Sequence, residues 1–428
     1  MLDIKFIREN RELVEAAIKN KKVVKAVNLD ELLAVYDERK ALRSKLDEIN
    51  QKRNVAAQNR ANEEGIALKK EVALVEAKLA DVDKNFMSLM ILLPNIPSAD
   101  TPVGNDDNEN KVLRQVGDKT KFEFKPKEHW ELGANLDIID NERAGNISGT
   151  RFTYLKGDLA LMQFALLQFG LDTLTNEDTL NKIKNDAGLD ISTKPFTIIV
   201  PPVFIKPAVF NRMARLEPKE ERYYLPADDL YLIGSAEHTL GPIHMDEVLQ
   251  EEKLPIRYAG YSSAFRREAG AAGKDTRGIL RVHQFDKLEM ESFCLPENSY
   301  REQELMVAVQ EYIMKSLGLP YQVVMVCTGD MGIPDHRQID IETWMPGQNR
   351  YRETHSADLN TTYQSRRLNT RFKNKDGKMD FVHMNDATAI AIGRTLIAIM
   401  ENYQQADGSI KIPEVLQKYM NKNVIAKK

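Results

Sequence analysis

Two stretches in the first hundred residues place apolar side chains at intervals of three and four. The first stretch carries Leu32, Val35, Leu42, Leu46, Ile49 and Ala56, and the second carries Leu68, Val72, Val75, Leu79, Val82, Phe86, Leu89 and Leu93. Such spacing over several heptads predicts coiled-coil helices. Because the pattern restarts after the turn-like Asn62-Glu-Glu-Gly65, we expect an antiparallel helical hairpin over residues 29–93.

A polar segment separates this hairpin from the rest of the chain. Pro94 and Pro97 would end the second helix, and residues 98–115 are rich in Asp, Asn and Gly. We therefore place a domain boundary near residue 110, between an N-terminal domain of residues 1–110 and a second domain of residues 111–428.

The second domain mixes helical and β-rich patterns. A helix is predicted over 159–169, and strands are predicted over 196–200, 230–233, 257–267, 284–293, 321–327, 339–344 and 381–384. Several of these strands follow one another without an intervening helix. This order favours an α+β domain with a central antiparallel sheet flanked by helices over a doubly wound parallel sheet.

Charge gives a local signal only. The chain has 60 basic and 64 acidic residues, a net charge of about −4, so it lacks a global positive field for nucleic acid. Residues 49–62, however, contain no acid, and the distal half of the hairpin is locally basic through Lys52, Arg53, Arg60, Lys69 and Lys70. One interpretation is a solvated coiled-coil face or a dimerisation arm. The other is a rod that binds a nucleic-acid backbone by counterion release.

The composition indicates where in the cell the protein works and whether it holds a zinc site. No apolar run is long enough to cross a bilayer, and the first residues lack the apolar core of a signal peptide, so we expect a cytoplasmic protein without membrane association. Two cysteines and seven scattered histidines match no zinc spacing, and no zinc is expected.

The segment from Tyr261 to Phe293 carries the strongest chemical signal. Arg266 and Glu268 are two apart on one predicted strand, and Phe285 and Glu289 share a side of the next. A hairpin would gather a guanidinium, an aromatic ring and carboxylates on one sheet face, which suits ATP and an amino acid. Taken singly, each residue is more often structural. The Gly270–Lys274 run does not match a P-loop.

Three other segments add candidate groups. Glu353 and Ser356 offer the oxygen ligands that a phosphate-bound Mg²⁺ prefers. An apolar helix predicted to begin near Asp386 would place Arg394 about two turns inside it, as a clamp on a terminal phosphate. Ser235 and Glu237 would bracket an α-ammonium group. Ordinary turn residues and surface ion pairs are the alternative in each case.

Together these segments resemble the bacterial type of seryl-tRNA synthetase, a class II family, over essentially the whole chain. The resemblance is carried by the hairpin and by Ile147-Ser-Gly-Thr-Arg-Phe152, Asp275-Thr-Arg-Gly278, His283-Gln-Phe285, Pro346-Gly-Gln-Asn-Arg-Tyr-Arg-Glu353, Glu401-Asn-Tyr-Gln404 and Ile412-Pro-Glu-Val-Leu416. It implies that serine and ATP form seryl-adenylate, and that serine is then transferred to the 3′ end of tRNA(Ser) and, by implication, tRNA(Sec). It also implies a homodimer, with Pro202 at its interface, and an arm that holds the tRNA.

The resemblance also implies residue roles. For ATP these are Arg266, Arg267, Glu268, Arg281, Phe285, Glu353, Thr354, His355, Ser356 and Arg394, with Mg²⁺ bound through ATP at Glu353 and Ser356. For L-serine they are Ser235, Ala236, Glu237, Arg266, Glu289, Asp386 and Thr388. Arg266 and Arg394 are the implied catalytic residues, and Lys52, Arg53, Arg60, Lys69 and Lys70 match the tRNA-binding arm.

The sequence departs from the family pattern around the implied serine site. Ser235 replaces a threonine, Asp386-Ala387 replaces Asn-Gly, and His355-Ser-Ala-Asp-Leu359 replaces a Ser-Ser-Cys-Ser-Asn-like run. Two alternatives therefore remain open: a synthetase-like regulator that binds tRNA without charging it, and a ligase that aminoacylates a carrier protein. The full-length arm argues against the second, and a purely structural coiled coil leaves residues 230–404 unexplained.

Overall fold

The computed structural model describes residues 1–23, 25, 27–269 and 277–427. The chain forms two compact units, Met1–Ile96 and Pro97–Lys428. The Gly270–Lys274 run and the Asp275-Thr276 pair lie outside the described residues. Within the described ranges, no helix combines the length and the apolar character needed to cross a membrane.

The first unit is helical. Its helices are α1 (Ile4–Glu9), α2 (Arg11–Asn20), α3 (Leu29–Gln58) and α4 (Asn62–Met90). Helices α3 and α4 form the predicted hairpin, but the turn lies at residues 59–61 rather than at Gly65. The Gly65 N–H donates to the Ala61 carbonyl, so Gly65 belongs to the first turn of α4. Glycine in a helix interior is unfavourable but tolerated.

An apolar seam and ion pairs hold the hairpin together. Ile49, Val72 and Val75 are buried against one another, with Leu42, Leu46 and Leu68 partly buried around them. Arg39, which interrupts the predicted stripe, pairs with Asp83 of α4 and lies 4.8 Å above the centre of the Phe86 ring. The Arg39–Asp83 pair is partly open to solvent, and ion pairs near the surface add little stability. These contacts therefore specify mainly how the two helices align.

The second unit contains β1–β18 and α5–α14. Up to the middle of the domain these are β1 (Lys111–Val116), α5 (His129–Asn135), β2 (Ile139–Asp140), α6 (Asn141–Ser148), β3 (Tyr154–Leu155), α7 (Gly157–Thr175), α8 (Glu177–Asp186), β4 (Thr197–Ile199), β5 (Phe204–Ile205), α9 (Pro207–Arg212), β6 (Tyr224–Leu225), β7 (Leu230–Leu232), α10 (Glu237–Leu240), β8 (Val248–Gln250) and β9 (Ile256–Phe265). The remainder are β10 (Gln284–Cys294), α11 (Ser299–Ser316), β11 (Tyr321–Met325), β12 (Arg337–Met345), β13 (Arg350–Thr361), α12 (Tyr363–Leu368), β14 (Arg371–Lys373), β15 (Met379–Phe381), β16 (His383–Ala391), α13 (Ile392–Asn402), β17 (Ile410–Lys411), α14 (Glu414–Met420) and β18 (Val424–Ile425).

An eight-stranded sheet organises this unit, in the order β1-β11-β12-β13-β16-β10-β9-β4. All neighbours in it pair antiparallel except β4 and β9. The predicted α+β fold with a mainly antiparallel central sheet is confirmed.

The two faces of the sheet differ in character, as the alternation along β10 shows. Leu288 and Met290 belong to the main apolar core, with side chains from α7, α11 and α13. Lys287, Glu289 and Glu291 alternate with them and belong to the opposite face. The buried apolar face fixes the register, and the other face is left to carry polar chemistry.

Three sequence predictions about this unit were wrong in detail. Strand β9 ends at Phe265, so Arg266 and Glu268 follow the strand, and Glu268 has a left-handed backbone with φ 51°. Strand β16 continues to Ala391, so Asp386 begins no helix and Arg394 lies in the first turn of α13. Pairing with β10 and β13 on both sides outweighs the helix preference of this Ala-rich segment.

The boundary between the units also differs from the prediction near residue 110. The segment after Pro97 is bonded into the second unit: the Ser98 N–H donates to the His336 carbonyl at 2.7 Å, and the Cys327 N–H donates to Asn110 Oδ1 at 2.8 Å. Polar composition alone does not distinguish such a bonded segment from a linker.

Candidate active site

A cavity of about 190 Å³ opens on the polar face of the sheet. Ten residues that the sequence singled out line it: Glu237, Arg266, Glu268, Arg281, Phe285, Glu353, Thr354, Ser356, Thr388 and Arg394. They come from α10, β10, β13, β16, α13 and the segment between β9 and β10. Sheet pairing thus brings together groups that are far apart in the chain.

One wall combines cations with an aromatic ring. The Arg266 guanidinium lies 5.3 Å from the centre of the Phe285 ring, and its Nε donates to the Gly234 carbonyl at 3.0 Å. Arg281 and Glu268 form an ion pair at 3.0 Å beside them. A purine could stack on such a ring, while the guanidinium offers a planar fork to phosphate oxygens.

Another part of the cavity lining joins β13 to α13 through Glu353 and Arg394. Their side chains form an ion pair at 2.9 Å. Burial alone would raise the pKa of the Glu353 carboxyl, but the positive charges of Arg394 and Arg266 outweigh burial and lower it. Glu353 is therefore an anionic oxygen donor at neutral pH.

A bulge in β13 determines that the side chains of both Glu353 and Ser356 line the cavity. His355 pairs with Ile341 and Glu353 pairs with Glu342, so Thr354 is an extra residue in the strand. Residues three apart in a regular strand point to opposite faces, whereas here Glu353 and Ser356 both line the cavity. Among the described residues, no three His, Cys, Asp or Glu side chains could hold a metal ion by themselves. A Mg²⁺ ion at Glu353 and Ser356 would thus fit only with further oxygen ligands, such as those of phosphates.

The inner end of the cavity is suited to a small polar ligand. Glu237 and Thr388 line it, and beneath them Glu289 accepts from the hydroxyls of Ser235 and Thr388 at 3.3 Å each. Lys287 Nζ lies 2.6 Å from the same Glu289 carboxylate. Burial raises the pKa of Glu289, although the Lys287 charge opposes the shift.

Other predicted site residues do not line the cavity. Arg267 is exposed, with its guanidinium 5.5 Å from the centre of the Tyr223 ring, and His355 is fully buried, with Nδ1 2.9 Å from the Thr354 hydroxyl. Ser235, Ala236 and Glu289 are buried next to the cavity wall. Asp386 is also buried and accepts a 2.6 Å hydrogen bond from the Asn360 amide.

Sequence reasoning missed Arg215, Gln338 and Asp358, and gave Lys287 no role, although all four line the cavity. Lys287 lies in the predicted strand over 284–293. Asp358 lies in the segment 355–359, which departs from the family pattern. Arg215 gave no local signal. Its partners Glu237, Asp335, Asp358 and Asp386, at 3.0, 3.1, 3.2 and 3.4 Å, meet it only in the folded chain.

The hairpin carries the predicted basic residues in its distal half. Lys52, Arg60, Lys69 and Lys70 are exposed, and Arg53 is half-buried. Their positions around the 59–61 turn leave the charged groups open to a polyanion.

Comparisons with known proteins match both units. The family model for the "Seryl-tRNA synthetase N-terminal domain" matches residues 1–97, and that for the "tRNA synthetase class II core domain (G, H, P, S and T)" matches residues 223–403. A serine–tRNA ligase from Coprothermobacter proteolyticus is 39% identical over 433 residues, covering 98% of this chain and 100% of the relative.

Solved structures agree. The seryl-tRNA synthetase from Pyrococcus horikoshii complexed with ATP matches with a TM-score of 0.88 and 34% identity, covering 100% of both chains. The cytoplasmic serine–tRNA ligase from Naegleria fowleri in complex with AMP matches with a TM-score of 0.84 and 28% identity, covering 100% of this chain and 99% of that chain.

Proposed function

Since the chain belongs to the seryl-tRNA synthetase family of class II and is an ATP-dependent serine–tRNA ligase, we propose how its residues divide the work. The supporting observation is that a single cavity joins the Arg266–Phe285 wall to the Glu237–Thr388 end. ATP lies with its purine on Phe285 and its phosphates between Arg266, Arg281 and Arg394. Serine lies at the inner end.

Activation needs no side-chain nucleophile. The serine carboxylate attacks the α-phosphorus in line, the bond from that phosphorus to the bridging oxygen of the β-phosphate breaks, and pyrophosphate leaves. The site contributes orientation and positive charge. Arg266 stabilises the charge that builds on the α-phosphate, and Arg394 holds the terminal phosphate. Glu353 and Ser356 would hold Mg²⁺ together with the phosphates of ATP, and the ion would neutralise phosphate charge.

Serine selectivity comes from the buried polar network under the cavity. Ser235 and Thr388 both donate to Glu289, and the three groups offer partners to the serine hydroxyl. Bound alanine, which has no hydroxyl, would leave these buried groups without a hydrogen-bond partner. The site therefore disfavours alanine strongly as a substrate.

The hairpin supplies the tRNA contact. Lys52, Arg53, Arg60, Lys69 and Lys70 bind the phosphate backbone of tRNA(Ser), at an affinity that falls with salt. The protein acts as a cytoplasmic homodimer with Pro202 at its interface, and tRNA(Sec) is a second acceptor. Light scattering tests the dimer, and aminoacylation of the two transcripts compares the acceptors.

The test of the main activity is ATP–pyrophosphate exchange across the amino acids, followed by serylation of tRNA(Ser). We expect exchange with serine well above that with alanine or threonine, and stable seryl-tRNA. No exchange with serine would overturn the site assignment. Exchange without tRNA charging would instead favour the carrier-protein ligase, and tRNA binding without exchange would favour the regulator.

A further inference from the structure

The sheet under the inner end of the cavity presents two rows of polar residues. Glu289 on β10 pairs with Thr388 on β16, and one step further Glu291, Asp386 and Asp358 pair across β10, β16 and β13. Paired residues on neighbouring strands share a face, and successive rows on one face are about 7 Å apart. The second row is therefore made of three acids, directly beyond the Thr388 row.

Arg215 is shared between this second row and Glu237. Its Nε lies 3.0 Å from Glu237 Oε1, and its Nη2 lies 3.2 Å from Asp358 Oδ2. Because one guanidinium contacts both carboxylates, Asp358 is held beside Glu237, which the sequence analysis predicts to contact the α-ammonium group. Four carboxylates contact Arg215 in all, so acids outnumber this cation.

One carboxylate oxygen of Asp358 has no hydrogen-bond partner. The residue is 7% exposed and lines the cavity, and its Oδ1 is buried without a hydrogen-bond partner. A buried carboxylate oxygen without a partner is costly, whereas a charged donor from a ligand would satisfy it. Asp386 and Glu291, the other acids of the row, do not line the cavity.

We propose that Asp358 is a further amino-acid-binding residue, which receives the α-ammonium group of serine together with Glu237. This inference rests on the proposed function and sharpens it. The α-ammonium is the cationic group of serine and carries three N–H donors, enough for two carboxylates. In the folded chain Lys287 Nζ pairs with Glu289 at 2.6 Å, and Asp358 Oδ1 is left without a hydrogen-bond partner.

The experiment compares two adenylate analogues that differ in the group under test. One is the seryl sulfamoyl-adenosine, and the other is its 3-hydroxypropionyl counterpart, which keeps the hydroxyl but lacks the amino group. Calorimetric Kd values for both are measured with the wild-type protein and with Asp358→Asn. We expect the variant to lose about 10- to 100-fold in affinity for the seryl analogue and less than about 3-fold for the other.

A matched control separates direct contact from an effect through Arg215. Asp335 contacts the same Nη2 at 3.1 Å but does not line the cavity. Asp335→Asn should therefore change the affinities for the two analogues by the same factor. If Asp358→Asn fails to fold, Asp358→Glu keeps the charge but displaces it, and a loss confined to the seryl analogue is again expected.

The outcomes are distinct. Equal losses for both analogues, or no loss for either, in the Asp358 variant would overturn the inference while leaving serine activation intact. If the wild-type protein bound neither analogue and gave no exchange with serine, the proposed function itself would fail.

Discussion

Arg394 bonds to Glu353 twice, through the carboxylate at 2.9 Å and through the backbone carbonyl at 3.1 Å. This double contact ties the first turn of α13 to β13 at the edge of the cavity. It also orients a guanidinium before any phosphate arrives. Such preorganisation lowers the cost of ordering the side chain when a ligand binds.

We predict that Arg394→Gln raises the KM for ATP about 10- to 100-fold and leaves the KM for serine within about 3-fold. The reason is that the variant removes the proposed charged contact to the terminal phosphate and removes no contact proposed for serine. Pyrophosphate exchange with each substrate varied in turn measures both constants. Arg114→Gln, which breaks an ion pair with Glu311 outside the cavity, is the control and should change neither. A rise in the serine KM of equal size would contradict the assignment.

Arg266→Ala should reduce the rate of serine activation by about 100-fold or more, because it removes charge placed where the attacked phosphate becomes more negative. Arg266→Lys should recover only part of the rate, since an ammonium cannot reproduce the planar fork that contacts phosphate, Phe285 and the Gly234 carbonyl. Single-turnover adenylate formation separates this effect from binding. Full activity of the lysine variant would show that charge alone suffices.

Removing the hairpin tip between Ile49 and Val75 should spare pyrophosphate exchange and abolish tRNA charging, because the tip carries the basic residues and none of the cavity. A milder variant, with Lys52, Arg60, Lys69 and Lys70 changed to Gln, should weaken tRNA binding and flatten its dependence on salt. Filter binding at several salt concentrations measures the slope. Lys84→Gln, an exposed change outside the tip on the same hairpin, serves as the control. Loss of both steps in a folded truncation would contradict this division of labour.

The fully buried His355 should make stability depend on pH. Burial lowers its pKa from 6.5 to about 4, so the folded chain holds it neutral where the unfolded chain would protonate it. The contribution of neutral His355 to the free energy of unfolding is fully present above pH 6.5. It is lost as the pH falls toward 4, which lowers that free energy by roughly 3 kcal/mol in total. Urea unfolding at several pH values should show a shallower loss in His355→Gln than in the wild-type protein. Parallel curves would contradict the prediction.

The parts that sequence reasoning predicted well have a regular period or a dense local motif. Three–four spacing located α3 and α4, and strand alternation placed Phe285 beside Arg266. The misplaced parts depend on tertiary pairing. Asp386–Ala391 is a central strand only because β10 and β13 flank it, and Arg215 meets its acids only after distant segments converge. The family resemblance, now confirmed, supplied what local patterns could not.

Thr354, the extra residue in β13, is a position at which a ligand or a substitution could inhibit this enzyme. Glu353 and Ser356, the oxygen ligands proposed for Mg²⁺, both line the cavity because Thr354 is an extra residue in β13. The Thr354 hydroxyl lies 2.7 Å from that of Thr343 on the neighbouring strand. A bound molecule or a substitution that straightened this short stretch would rotate one donor away while leaving both side chains chemically unchanged. The backbone at Thr354, rather than the chemistry of the two ligand side chains, would therefore decide whether the proposed Mg²⁺ site can form.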